Sequence, residues 1–91
     1  MGIRIIAVHL HGGHEHEHIA EVEWKNLEWG NTGESSVDAL MRWLEESESE
    51  NVAVVGRGAR VDVVRSPTGS SWLQAVADGF WTDELLALPR Y

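Results

Sequence analysis

The stretch Trp72-Leu73-Gln74-Ala75-Val76-Ala77-Asp78-Gly79-Phe80-Trp81-Thr82-Asp83-Glu84-Leu85-Leu86-Ala87-Leu88-Pro89 constrains this chain more than any other. Ser71 to Ala77 reads as an alternating, half-buried strand, and Asp78-Gly79 supplies the residue pair a tight turn requires. Thr82 is placed to cap a single helical turn that Pro89 stops. Leu85, Leu86 and Leu88 then fall back onto a core. The whole stretch is expected to be a packed lid over a sheet and a helix, not reactive machinery.

The segments before it are consistent with such a core. Ile3 to Leu10 is β-branched and apolar apart from Arg4, and so reads as a strand. From His18 the pattern alternates, with Ala20, Val22 and Trp24 on one face and Glu21, Glu23 and Lys25 on the other, a half-exposed antiparallel strand. Gly30-Asn31-Thr32-Gly33 breaks it. Ser35 or Ser36 caps a helix whose Val37, Leu40, Met41 and Leu44 follow the i, i+3, i+4, i+7 spacing of one buried stripe. Trp43 lies beside that stripe, and Arg42 stands four residues from both Asp38 and Glu46, the spacing of surface ion pairs. The run Glu45-Glu46-Ser47-Glu48-Ser49-Glu50 puts negative charge at the helix C-terminus, where the backbone dipole opposes it, so fraying is expected there.

Val52 to Val55 reads as a short strand. Gly56-Arg57-Gly58 turns the chain, and Arg60 to Arg65 returns with Val61 and Val63 inward. Ser66-Pro67-Thr68-Gly69 fits a type I turn. The expected fold class is α+β: a small twisted antiparallel sheet of about five strands, β-β-α-β-β-β, with one helix on one face, forming a single domain over residues 1–91.

Composition narrows the function. The 91 residues include five tryptophans and no cysteine, which favours a globular core without disulfides or thiolate metal sites. The N-terminal apolar run is too short to span a bilayer and has no signal-peptide cleavage site, so a cytoplasmic protein without membrane contact is expected. The net charge is −8. All of it lies in residues 1–50, since residues 51–91 hold four acids (Asp62, Asp78, Asp83, Glu84) against four arginines. Such a chain repels nucleic acid at long range, which argues against direct binding.

Together these residues resemble a known group. His18-Ile19 followed by Trp24, the mid-chain amphipathic helix, and the closing Trp72-to-Gly79 and Asp83-to-Pro89 segments are similar to a bacterial and phage family of small domains of unknown function. Its members carry a His-Ile-x-x-x-x-Trp strand and end near Tyr-Leu-x-Thr-x-x-Asp-Gly and Asp-Asn-Leu-Leu-x-Leu-Pro. This chain has Trp72, Ala75 and Glu84 where Tyr, Thr and Asn are usual. The resemblance implies a fold and no activity, substrate or cofactor.

Four constellations are candidates for function. His9, His11, His14, His16 and His18 lie within ten residues. A two-residue turn at Gly12-Gly13 would place all five imidazoles on one face of a hairpin, a donor set suited to Zn, Ni or Cu, with Glu15 or Glu17 beside them. A three-residue turn would divide them between faces, and the bland alternative is a polar hairpin tip. Asp78, Asp83 and Glu84 offer carboxylates for acid-base work, although turn chemistry and a helix start explain them better. Gly56-Arg57-Gly58-Ala59-Arg60 lacks the remaining residues of a phosphate loop and reads as a hairpin with solvated arginines. Trp24, Trp43 and Trp72 are expected in the core, whereas Trp29 and Trp81, near loops, are candidate contact residues together with Arg57 and Arg60.

No motif pairs a nucleophile with a base. The leading expectation is a non-catalytic interaction or regulatory module with no cofactor and a protein partner, a second copy included. The alternatives are a metal-binding module using the histidines, and an acidic mimic of nucleic acid.

Overall fold

A computed structural model describes residues 1–47 and 49–91. Its seven strands are β1 (Gly2–Leu10), β2 (Ile19–Asn26), β3 (Thr32–Ser36), β4 (Val52–Val55), β5 (Ala59–Arg65), β6 (Ser71–Ala77) and β7 (Phe80–Thr82), and its helix is α1 (Val37–Glu46). These counts refer to the described residues. The strands form one sheet in the order β3-β2-β1-β4-β5-β6-β7. Among the described residues no helix is long and apolar enough to cross a membrane.

The α+β class with one helix stands, but the sheet has seven strands, not about five, and is mixed, not antiparallel. The helix explains the mixing. β3 runs antiparallel to β2, and α1 carries the chain back across the sheet to β4, which pairs in parallel with β1 through Gly2–Val52 to Ile5–Val55. A crossover through a helix is the ordinary route to a parallel pair.

The two additional strands lie at the edges. The sequence Thr-Gly-Glu-Ser-Ser of β3 has little intrinsic strand preference, so its state is set by pairing with β2. Trp24, opposite Gly33, holds it: the indole covers the glycine and Nε1 donates to Ser35 Oγ at 3.0 Å. A Cβ on Gly33 would come within 2.5 Å of that ring. Gly33→Ala should therefore destabilise the domain by about 1–2 kcal/mol, the cost of overpacking, read as a lower midpoint in urea with an unchanged slope. At the other edge, Asp78 and Gly79 both have positive φ, 53° and 83°, as a two-residue hairpin turn requires. That turn sends Phe80–Thr82 back along β6 as β7, where a helical turn alone was expected.

Ser36 caps α1, its side chain accepting from the Ala39 amide at 3.1 Å. Val37, Leu40 and Leu44 are buried and Met41 half-buried, as the spacing predicts. α1 ends at Glu46, inside the acidic run, of which Glu48 lies outside the described residues. Asn51 Nδ2 donates to the Trp43 carbonyl at 2.8 Å, serving one of the orphan acceptors of the last turn. Arg42 pairs with neither Asp38 nor Glu46. Instead Glu45 bonds Arg65 on β5.

The core lies between α1 and the inner face of the sheet and draws on Ile3, Ile5, Val8, Val22, Ala53, Val55, Val61, Leu73 and Ala75. Leu85 is fully buried in it, with Leu86 and Leu88 packed alongside. The closing segment is thus the lid its pattern implied, built as successive turns over Asp83 to Leu88. From there the chain reaches β1, where Val8 N donates to the Pro89 carbonyl and Tyr91 N to the Val8 carbonyl, at 2.9 and 3.2 Å.

Candidate functional site

Alternation on β6 decides which side chains face outward. Leu73 and Ala75 point into the core, so Trp72, Gln74 and Val76 lie on the opposite face. Trp72 is therefore on the outer surface, not where sheet and helix meet, while Trp24 and Trp43 do pack against the core. Val76 pairs with Arg60 on β5 and Trp81 on β7, which puts Arg60, Val76 and Trp81 in one outward row.

Three of the four residues singled out for interaction come together here. Trp81 is 52% exposed and its neighbour Phe80 76%. Trp81 lines a depression of about 330 Å3 with Arg60, Asp62, Arg65, Glu45 and Asn51. Arg57, on the Gly56–Gly58 turn, lines another of about 420 Å3 with Arg60, Val76, Asp78 and Glu84. Arg60 is held by Asp62 on its own strand, Nε to Oδ1 3.0 Å. Trp29, 82% exposed, is elsewhere, on the β2–β3 turn. Phe80 was not anticipated. With Asp78-Gly79 read as a hairpin turn, the alternation would have carried it into a strand.

Asp78 and Asp83 do not converge. Asp78 belongs with the arginines, while Asp83 Oδ1 lies 3.9 Å from His16 Nε2.

The five histidines are divided. The β1–β2 connection is not a two-residue turn: Leu10 pairs with Ile19 and His9 with Glu21, with a register shift between them. His18 is the reason. Its Nδ1 accepts from the Glu15 amide at 3.1 Å and its own amide bonds the Glu15 carbonyl at 2.9 Å, which winds His16–His18 into a 3-10 turn instead of extending the strand. His18 also lies over Gly13. The His9 ring lies 5.8 Å from that of Tyr91, tilted by 44°, and bonds the Tyr91 backbone oxygen. His11 and His14 are exposed, and His16 is buried, 9% exposed. Among the described residues no three His, Asp or Glu side chains stand together as metal ligands would.

His16 occupies a hollow between the 3-10 turn and β6 that sequence reasoning did not anticipate, since it needs the sheet to bring residues 15–17 against Trp72 and Gln74. At the far end of the outer face, Glu23 pairs with Glu34 and Glu21 lies two residues along, opposite His9, which in turn contacts Tyr91. Burial, and after it the carboxylates of Glu34, Glu21 and Glu23, raise the Tyr91 phenol above its ordinary pKa. The outer surface is therefore acidic over β2 and β3 and aromatic with arginine over β5 to β7.

The model of a family described as proteins of unknown function, DUF3892, matches residues 4–89, nearly the full length. The chain belongs to DUF3892. No curated protein and no solved structure is similar enough to the chain to count as a match. The DUF3892 match runs from Arg4, within β1, to Pro89, so the 3-10 turn, the arginine turn and the Phe80–Trp81 hairpin all lie within the family's own extent.

Proposed function

We propose that the chain is a non-catalytic binding module that meets a protein partner through the Phe80–Trp81 corner, with Arg57 and Arg60 beside it. The observation carrying this is the exposure of two consecutive large aromatic side chains, 76% and 52%, on an edge strand held by a two-residue hairpin. Exposed aromatics on a pre-organised backbone, next to arginine, have the composition of interface hot spots. Turn and edge geometry alone give no reason to place Phe and Trp there, because edge strands are ordinarily protected by charge or proline.

The partner surface that fits is apolar with carboxylates. A second copy offers one in Glu21, Glu23 and Glu34. The resemblance to bacterial and phage domains favours a small cytoplasmic accessory or regulatory role. The test is a photo-reactive phenylalanine analogue placed at position 80 or 81 in cells, with the exposed position 28 as control. Protein adducts confined to 80 and 81 are expected. Equal labelling at 28, or none at 80 and 81, would overturn the reading.

A further inference from the structure

We propose that the hollow between the 3-10 turn and the outer face of β6 binds an organic cation, an ammonium or guanidinium group. It is lined by Glu15, His16, Glu17, Trp72 and Gln74 and has a volume of about 270 Å3, room for a charged head with a short alkyl stem. The inference is independent of the Phe80–Trp81 reading, since it concerns different residues.

Each lining group favours a donor with positive charge. Glu15 and Glu17 are exposed at the hollow, and Asp83, outside its lining, lies 3.9 Å from His16 Nε2. Trp72 Nε1 is already committed to Gln74 Oε1 at 3.1 Å, and Gln74 Nε2 to the Thr82 carbonyl at 3.4 Å. What Trp72 has left to offer is its ring face, which attracts cations. The two depressions around Trp81 and Arg57, and a third beside α1, each include an arginine. This hollow has none.

His16 supplies the independent observation. Its Nε2 is, among the described residues, the one buried side-chain polar atom without a hydrogen-bond partner. Asp83 at 3.9 Å is beyond hydrogen-bond range. Leaving such an atom unmet is costly, so a partner for it is expected. An imidazole nitrogen accepts in the tautomer that leaves it without a hydrogen, and in that tautomer an N–H-bearing cation answers the imidazole, the carboxylates and the indole ring together. A free amine and a Lys or Arg side chain of a partner share this chemistry.

The test uses the full chain and nuclear magnetic resonance, following the Trp72 indole N–H and the His16 ring. Butylammonium and a blocked Gly-Arg-Gly peptide are titrated, with 1-butanol as the neutral control. Saturable shifts with the cations and none with 1-butanol are expected, and the tighter of the two cations identifies the source. Replacing Glu15→Gln and Glu17→Gln together should weaken binding about tenfold or more while leaving the backbone spectrum unchanged, since glutamine keeps the side-chain oxygen with which residue 15 accepts from the His18 backbone and the other Glu15 contacts in the 3-10 turn are made by its main chain. Trp72→Leu should weaken it as well. Absence of saturable shifts, equal shifts with 1-butanol, or unchanged affinity in the double glutamine variant with an intact spectrum would overturn the proposal.

Discussion

Leu85→Ala should cost about 2–5 kcal/mol, the range for truncating a fully buried leucine whose site relaxes only in part. Leu85 has no exposed surface and anchors the closing turns to the core. In a domain of this size each kcal/mol moves the thermal midpoint by about 4–8 °C, so the variant should melt at least about 8 °C lower. Leu86→Ala, next to it and only partly buried, is the internal control and should lose clearly less. Equal losses would mean that the turn packs loosely as a unit and that Leu85 is not its anchor. A loss below about 1 kcal/mol at Leu85 would mean that the stretch is not a lid.

The second large effect is expected at Asn26, a buried polar residue at the end of β2, only 5% exposed. Its Oδ1 accepts from the amides of Glu28 and Trp29, at 2.8 and 3.1 Å, and its backbone takes part in two further bonds, to Asn31 and Gly30. One side chain thus organises the whole β2–β3 turn, substituting for backbone partners the turn cannot supply. Asn26→Ala removes two hydrogen bonds and leaves a small void, for a loss of about 2–3 kcal/mol. Asn26→Asp keeps both acceptor contacts and should recover most of it. Fast amide exchange at Glu28 and Trp29 in the alanine variant would locate the damage. Protection equal to the parent would refute the assignment.

What could be read from the chain, and what could not, follows from where each element gets its stability. β4 and β6 appear at the boundaries their patterns imply, and α1 carries its stripe on the expected face, because burial on a fixed period is written into consecutive residues. β3 could not be read this way. Its Thr-Gly-Glu-Ser-Ser sequence owes its conformation to Trp24 and the β2 backbone, seven to fifteen residues away at the paired positions. The parallel β1–β4 pair was hidden for a similar reason, since nothing local distinguishes a helix that returns the chain to a hairpin from one that carries it across. The histidine tip turned on one Nδ1–amide bond, and a single residue of register was enough to separate side chains that alternation would have grouped. Trp81, Arg57 and Arg60 were legible as surface residues. Their meeting, and the hollow around His16, depend on strand order.

The pairing of Val8 with Pro89 to Tyr91 ties the beginning of the chain to its far end. Pro89 follows Val8 by 81 residues, so β1 completes its bonds on that side only with a segment made much later. Such a contact of high sequence separation carries a loop-closure cost that the β1 pairs with β2 do not, so this side of β1 is the slow one to complete.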